Sequence, residues 1–181
     1  MMTPEHVLDF WFREIDDAAW WRKDLAFDAL LRERFGACHD AAARGELWAW
    51  RATAHGRLAE VVVLDQFSRN IHRDTPRAFA QDAMALVLAQ ELVNSGGAAV
   101  LTPRERGVLY LPYMHSESLP VHDEAVRLYA AEPALAFQLD FEHRHRDIIV
   151  RFGRYPHRNA ILGRVSTAEE VAFLQEPGSG F

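Results

Sequence analysis

The chain is 181 residues long, 49% apolar and 25% charged, with a formal net charge of −6. That length suits one ordinary domain able to bury roughly 70% of its unfolded surface, and the composition excludes the disordered and fibrous classes. The acidic balance argues against a general nucleic-acid binder, which needs a basic stripe for phosphates; the single cysteine, Cys38, excludes an internal disulfide framework and a cysteine-based zinc cluster.

The start, Met1-Met2-Thr3-Pro4-Glu5, has neither the basic residues nor the apolar run of a signal peptide. No stretch approaches the roughly 20 apolar residues of a membrane span. With one thiol, suited to a reducing compartment, these features lead us to expect a cytoplasmic protein without a membrane partner.

Helix signals recur along the whole chain. Thr3-Pro4 reads as a cap with proline at the first helical position, followed by Val7, Leu8, Phe10 and Trp11. Asp24 starts a second helix with Leu31, Phe35 and Cys38 on one stripe, closed by Gly45. Thr53 caps a third, through about Arg69. Pro76 opens a fourth, over Phe79, Met84, Leu88 and Leu92 to Gly96-Gly97. Thr102-Pro103-Arg104-Glu105 is a capping box opening a fifth, which Pro112 should end or kink near Leu111. Ser118 caps a sixth, to Tyr129; Pro133 opens a seventh, Ala134 to about Phe152, stopped by Gly153. Ser166-Thr167-Ala168-Glu169 starts the last, to about Leu174. Strand-length alternation is missing. The expectation is an all-α fold of about eight helices in packed hairpins, one domain over 1–181 with the tail 175–181 packed back on it.

Several polar residues sit badly for a simple core. On the third helix Leu58, Val61, Val62, Asp65, Arg69 and His72 share one face, and Val63, Leu64, Phe67 and Ile71 the opposite one. A helix apolar on both faces belongs at the centre of a domain. Asp65 and Arg69, at i and i+4, either pair with one another or line a wet cavity. His145 interrupts the apolar stripe Phe137, Phe141, Ile148 and Phe152, where a satisfied core histidine and a ligand are both open readings. His115, Glu117, His122 and His145 would make a metal set only by converging, and their spacing matches no zinc motif. The segment Arg151 to Asn159, with Arg154, His157 and Arg158, reads either as a cluster capping helix carbonyls or as an anion site. Nucleophile-elbow, phosphate-loop and dinucleotide motifs are missing, and no cofactor or metal is implied.

The blocks Val7-Leu8-Asp9-Phe10-Trp11-Phe12, Leu64-Asp65-Gln66-Phe67-Ser68-Arg69-Asn70, Tyr110-Leu111-Pro112-Tyr113-Met114-His115-Ser116-Glu117 and Arg151 to Asn159, with the closing Pro177-Gly178-Ser179-Gly180-Phe181, resemble the bacterial domain of unknown function 924 family over essentially the whole chain. The resemblance implies an all-helical fold similar to the tetratricopeptide-repeat superfamily, although no 34-residue repeat consensus is visible. It implies no assigned activity. The family's motif positions correspond here to Asp65, Gln66, Arg69, Asn70, His115, Ser116, Glu117, Arg154, His157, Arg158 and Asn159.

These residues, with His145, are the candidate ligand-binding set. The expected function is binding of a small anionic molecule or a peptide end in an Arg/His/Asp pocket. The alternative is an acid/base hydrolase, metal-dependent in one version, with His115 or His157 carrying the proton and Asp65 or Glu117 as its partner. A further expectation seats the ring of Phe181 in an apolar slot and its carboxylate on an arginine.

Overall fold

The third helix is the structural axis of the fold. In the computed structural model, which describes residues 2–180, helix α3 (Ala54–Val62) runs without a break through a π-helical stretch (Val63–Phe67) into α4 (Ser68–Ile71). Leu58, Val61, Val62, Val63, Leu64 and Phe67 are all at most 1% exposed, so both faces are buried, as the two apolar stripes predict. Each such side chain contributes about 2 kcal/mol of burial.

The other helices wrap this axis. α1 (Pro4–Asp9) and α5 (Asp82–Asn94) pack on α3, and α2 (Leu25–Ala43) lies along the π-helical stretch and α4. α6 (Pro103–Leu109) is followed by the short α7 (Leu111–Met114). α8 (Leu119–Ala130) and α9 (Ala136–Phe152) form a helical hairpin, with α10 (Ala168–Phe173) near the end of the chain. With α3–α4 and α6–α7 each read as one interrupted rod, eight helices account for the described residues, among which no strand occurs. No helix of the described residues is long and apolar enough to cross a membrane.

Most boundaries follow their signals. Asp24, Thr53 and Thr102 cap α2, α3 and α6 by accepting backbone N–H groups. Gly45 and Gly153 end their helices with φ of 72° and 68°, backbone that a side chain would strain. Pro112 sits in the first turn of α7, and the rod is interrupted at Tyr110, which ends α6 and precedes α7.

Two boundaries differ. The stretch from Pro76 to Gly96 is not one helix: a 3-10 turn (Pro76–Ala78) ends at Phe79, and α5 begins at Asp82. The last helix is capped by Thr167 with Glu170, not by Ser166 with Glu169, because only Glu170 reaches back to the Thr167 N–H, at 2.7 Å. Cys38 is a core residue, as its stripe suggests; burial pushes its thiol up to about 11. Tail residues Pro177, Gly178 and Gly180 border a groove against α9, and Phe181, with the slot expected for it, lies outside the described residues.

Candidate functional site

The π-helical stretch sets up the site. A π turn widens the helix and frees main-chain carbonyls from their usual partners. Here the Leu64 carbonyl accepts from Ser68 Oγ (2.5 Å) and the Asp65 carbonyl from an Arg69 guanidinium nitrogen (2.8 Å). Asp65 itself is 1% exposed and has partners on both oxygens. Oδ1 receives Arg69 (2.9 Å) and His115 Nδ1 (2.8 Å), and Oδ2 receives the Gln66 amide (2.5 Å).

Burial pushes Asp65 up, but the Arg69 charge and His115 outweigh it and hold the carboxyl well below the usual carboxylate range. An ionised Asp65 can only accept, so Nδ1 of His115 carries the hydrogen. Burial and the Arg69 charge pull His115 down more strongly than Asp65 lifts it, so the ring is neutral at pH 7. Its Nε2 is then an acceptor, and it makes no hydrogen bond among the described residues.

A second carboxylate closes the arrangement. Asp82, in the first turn of α5, takes both terminal nitrogens of Arg69 (3.0 and 3.1 Å) and a longer contact from Arg158 (3.3 Å). Arg158 is 6% exposed, with its guanidinium between the rings of Phe79 (4.6 Å) and Tyr155 (4.7 Å). It donates to the His115 carbonyl at 2.9 Å, and its buried Nε has no partner. Burial and the neighbouring Arg69 charge lower its pKa from the usual arginine value.

Three consecutive carbonyls at the end of α7 are thereby tied down by side chains. Met114 accepts from the Tyr155 hydroxyl (2.5 Å), His115 from Arg158, and Ser116 from His122 Nε2 (2.8 Å). Such carbonyls have no partner within the helix, and pairing all three fixes the backbone that carries His115.

His115, Ser116, Glu117, Asp82 and Arg158 open onto a cleft of about 410 Å³. Its other wall is apolar, with Phe79, Leu86, Pro112 and Leu162 among the lining residues. Asp65 and Arg69 stand behind His115 and Asp82, out of the lining itself.

The remaining candidates divide. Ser116 lines the cleft, and its hydroxyl accepts from the Ser118 N–H. Glu117 lines it too, but is held by Arg164 through two bonds (2.6 and 2.8 Å) and by the Tyr155 N–H. Asn159 joins Arg164 to Glu170, and Glu170 takes Arg154 through two bonds (2.6 and 2.8 Å). Arg154 and Asn159 therefore belong to a knot beside α10, outside the lining of the cleft. Arg151 pairs with Glu169, so the arginines of 151–158 neither cap helix carbonyls together nor form one anion site; Arg158 alone reaches the cleft.

Asn70 points the other way, to Asp28 (2.8 Å), which Arg73 also grips. His145 is a core histidine: Nδ1 donates to the Phe141 carbonyl, and burial holds it at about 3. His157 lies beside Tyr155 outside the lining, pulled down to about 4 by burial and the Arg158 charge. His115, Glu117, His122 and His145 each serve a different partner. Among the described residues no three His, Cys, Asp or Glu side chains are placed to hold a metal ion.

Sequence reasoning missed Asp82, Phe79, Tyr155 and Arg164. A signal for Asp82 was present: Phe79, Asp82 and Leu86 fall on one helical stripe, with an acid between two apolar residues.

The chain belongs to the bacterial proteins of unknown function DUF924, whose family model matches residues 7–178. A solved structure, the protein of unknown function ATU0120 from Agrobacterium tumefaciens, is similar to it with 38% sequence identity and a TM-score of 0.89, over 95% of this chain and 96% of that one. No curated protein matches it.

Proposed function

We propose that the cleft binds a small molecule bearing a carboxylate or phosphate group, with Arg158 as the anchor and the apolar wall holding the rest of the ligand. One observation carries this reading: Arg158 is more than nine-tenths buried, clamped between two aromatic rings, yet its Nε has no partner and its contact to Asp82 is long. A buried guanidinium with unused donors is stabilised by a carboxylate or phosphate whose oxygens accept from it.

The test is thermal stabilisation by inorganic phosphate, measured against sodium chloride of equal ionic strength. We expect the wild type and Arg154→Ala to gain several degrees at saturating phosphate and Arg158→Ala to gain none. Equal gains in Arg158→Ala would overturn the reading.

The Asp65–His115 pair favours a second reading, a hydrolase. His115 Nε2 would take a proton from a water whose oxygen attacks an ester carbon or phosphorus, then return it to the departing alkoxide, while Asp65 orients the ring without changing protonation. Turnover of a generic ester or phosphoester by the wild type and its loss in His115→Gln would support this reading; a substrate panel left untouched counts against it.

A further inference from the structure

The groups around the cleft already cancel in charge. The α3–α4 rod supplies Asp65 and Arg69, α5 supplies Asp82, the link between α7 and α8 supplies Glu117, and the segment after α9 supplies Arg158 and Arg164. Three carboxylates face three guanidinium groups. His115 is the remaining polar ring at the centre, with Nδ1 committed to Asp65 and Nε2 left to the cleft.

An anion seated beside Arg158 adds a negative charge to a balanced, half-buried site, and it competes with Asp82 for the same guanidinium. Uncompensated charge in such surroundings is costly. The group able to answer it is His115, because a proton on Nε2 adds one positive charge and turns an acceptor into a donor aimed at the ligand. Resting on the anion-binding reading, we infer that the cleft takes up its oxyanion together with one proton, held on His115 Nε2, which offsets one unit of the ligand's negative charge.

The surroundings suit this. Asp65 sits directly on Nδ1 and steadies the imidazolium once it forms, while burial and the Arg69 charge oppose it until the ligand's charge offsets them. The nearest other titratable rings, His145 from α9 and His157 beside Tyr155, are held by burial at about 3 and about 4 and stay neutral above pH 5. Tyr155 is buried and its pKa raised, chiefly by that burial, so it keeps its proton.

Sulfate is the probe, since it has no proton of its own to exchange between pH 5.5 and 8. Calorimetric titration at constant ionic strength, in two buffers of different ionisation heat, reads the protons taken up per sulfate. The expected result is about one proton per sulfate at pH 7, with affinity rising about tenfold for each unit of pH lowered until free His115 itself protonates. His115→Gln should bind sulfate with no proton uptake and a flat pH profile. In the wild type, the ¹⁵N shift of His115 Nε2 should move from acceptor to donor on adding sulfate, a reading independent of how the variant folds. Sulfate binding without proton uptake, or with Nε2 unmoved, would overturn this inference and leave the anion-binding reading intact. No binding at any pH would sink both.

Discussion

The tetrad of Asp65, Arg69, Asp82 and Arg158 and the knot of Arg154, Asn159, Glu170 and Arg164 are built from the same kinds of residue but have different outcomes. In the knot, Glu170 receives both Arg154 bonds, the Thr167 N–H and the Asn159 amide, and these hold it at about 2, well below the usual glutamate value, against the opposing pull of burial. Its acceptors are filled, and it lines neither the cleft beside His115 nor the groove along α9. In the tetrad, two carboxylates serve two arginines and a histidine; Arg158 Nε is buried without a partner, and His115 Nε2 has none either, on two residues that line a cleft. Closed clusters of this sort tie elements together; an ionic cluster with donors and acceptors left unused at a cavity is equipped to receive a ligand.

The comparison breaks most readily at Asp65. Asp65→Ala removes one partner of a buried pair and leaves Arg69 short of a charge, so a loss of about 3 kcal/mol is expected, measured by urea unfolding. A loss under about 0.5 kcal/mol would mean that Asp82 alone satisfies Arg69 and that the tetrad is not a unit.

Acid comes next. His72 is held at about 4, His145 at about 3 and His157 at about 4, each chiefly by burial. An unfolded histidine titrates near pH 6.5. Below that value the unfolded chain binds protons that the folded one refuses, so stability falls as pH drops from about 7 toward 4. The depressed carboxyl of Asp65 keeps its contribution through that window. A melting temperature lower by about 5 °C at pH 5 than at pH 7 is expected; a flat profile would contradict it.

The smallest effect sharpens the contrast. Glu170→Gln loosens the cap of α10 and its grip on Arg154, and a fall of about 3 °C in melting temperature is expected. Sulfate affinity should stay within about twofold of the wild type, since Glu170 lies outside the cleft. A larger change in affinity would join the two clusters into one site.

Much of this was legible in the residues alone. Helix count, caps and the break before Pro112 follow from short-range chemistry: a side chain satisfies an N–H three residues away, or a proline removes one. The two apolar faces of 54–71 require that helix to be buried, and Asp65 and Arg69 at i and i+4 must then pair with one another or line a cavity there. Asp82 was marked only as an acid on an apolar stripe, and nothing local said which arginines it would meet; Tyr155 was not legible as a site residue, because it matters through a carbonyl 41 positions earlier.

By itself, then, the sequence determined the helices, the central rod and the presence of ionisable groups that cannot be left alone in a core. Tertiary structure decided which of them meet: Asp65 with His115 and Asp82 with Arg158, but Arg154 with Glu170 and Asn70 with Asp28. The physical reason is one of range. Capping and periodicity act within four residues, whereas the partner of a buried charge is set by how rods far apart in the chain pack.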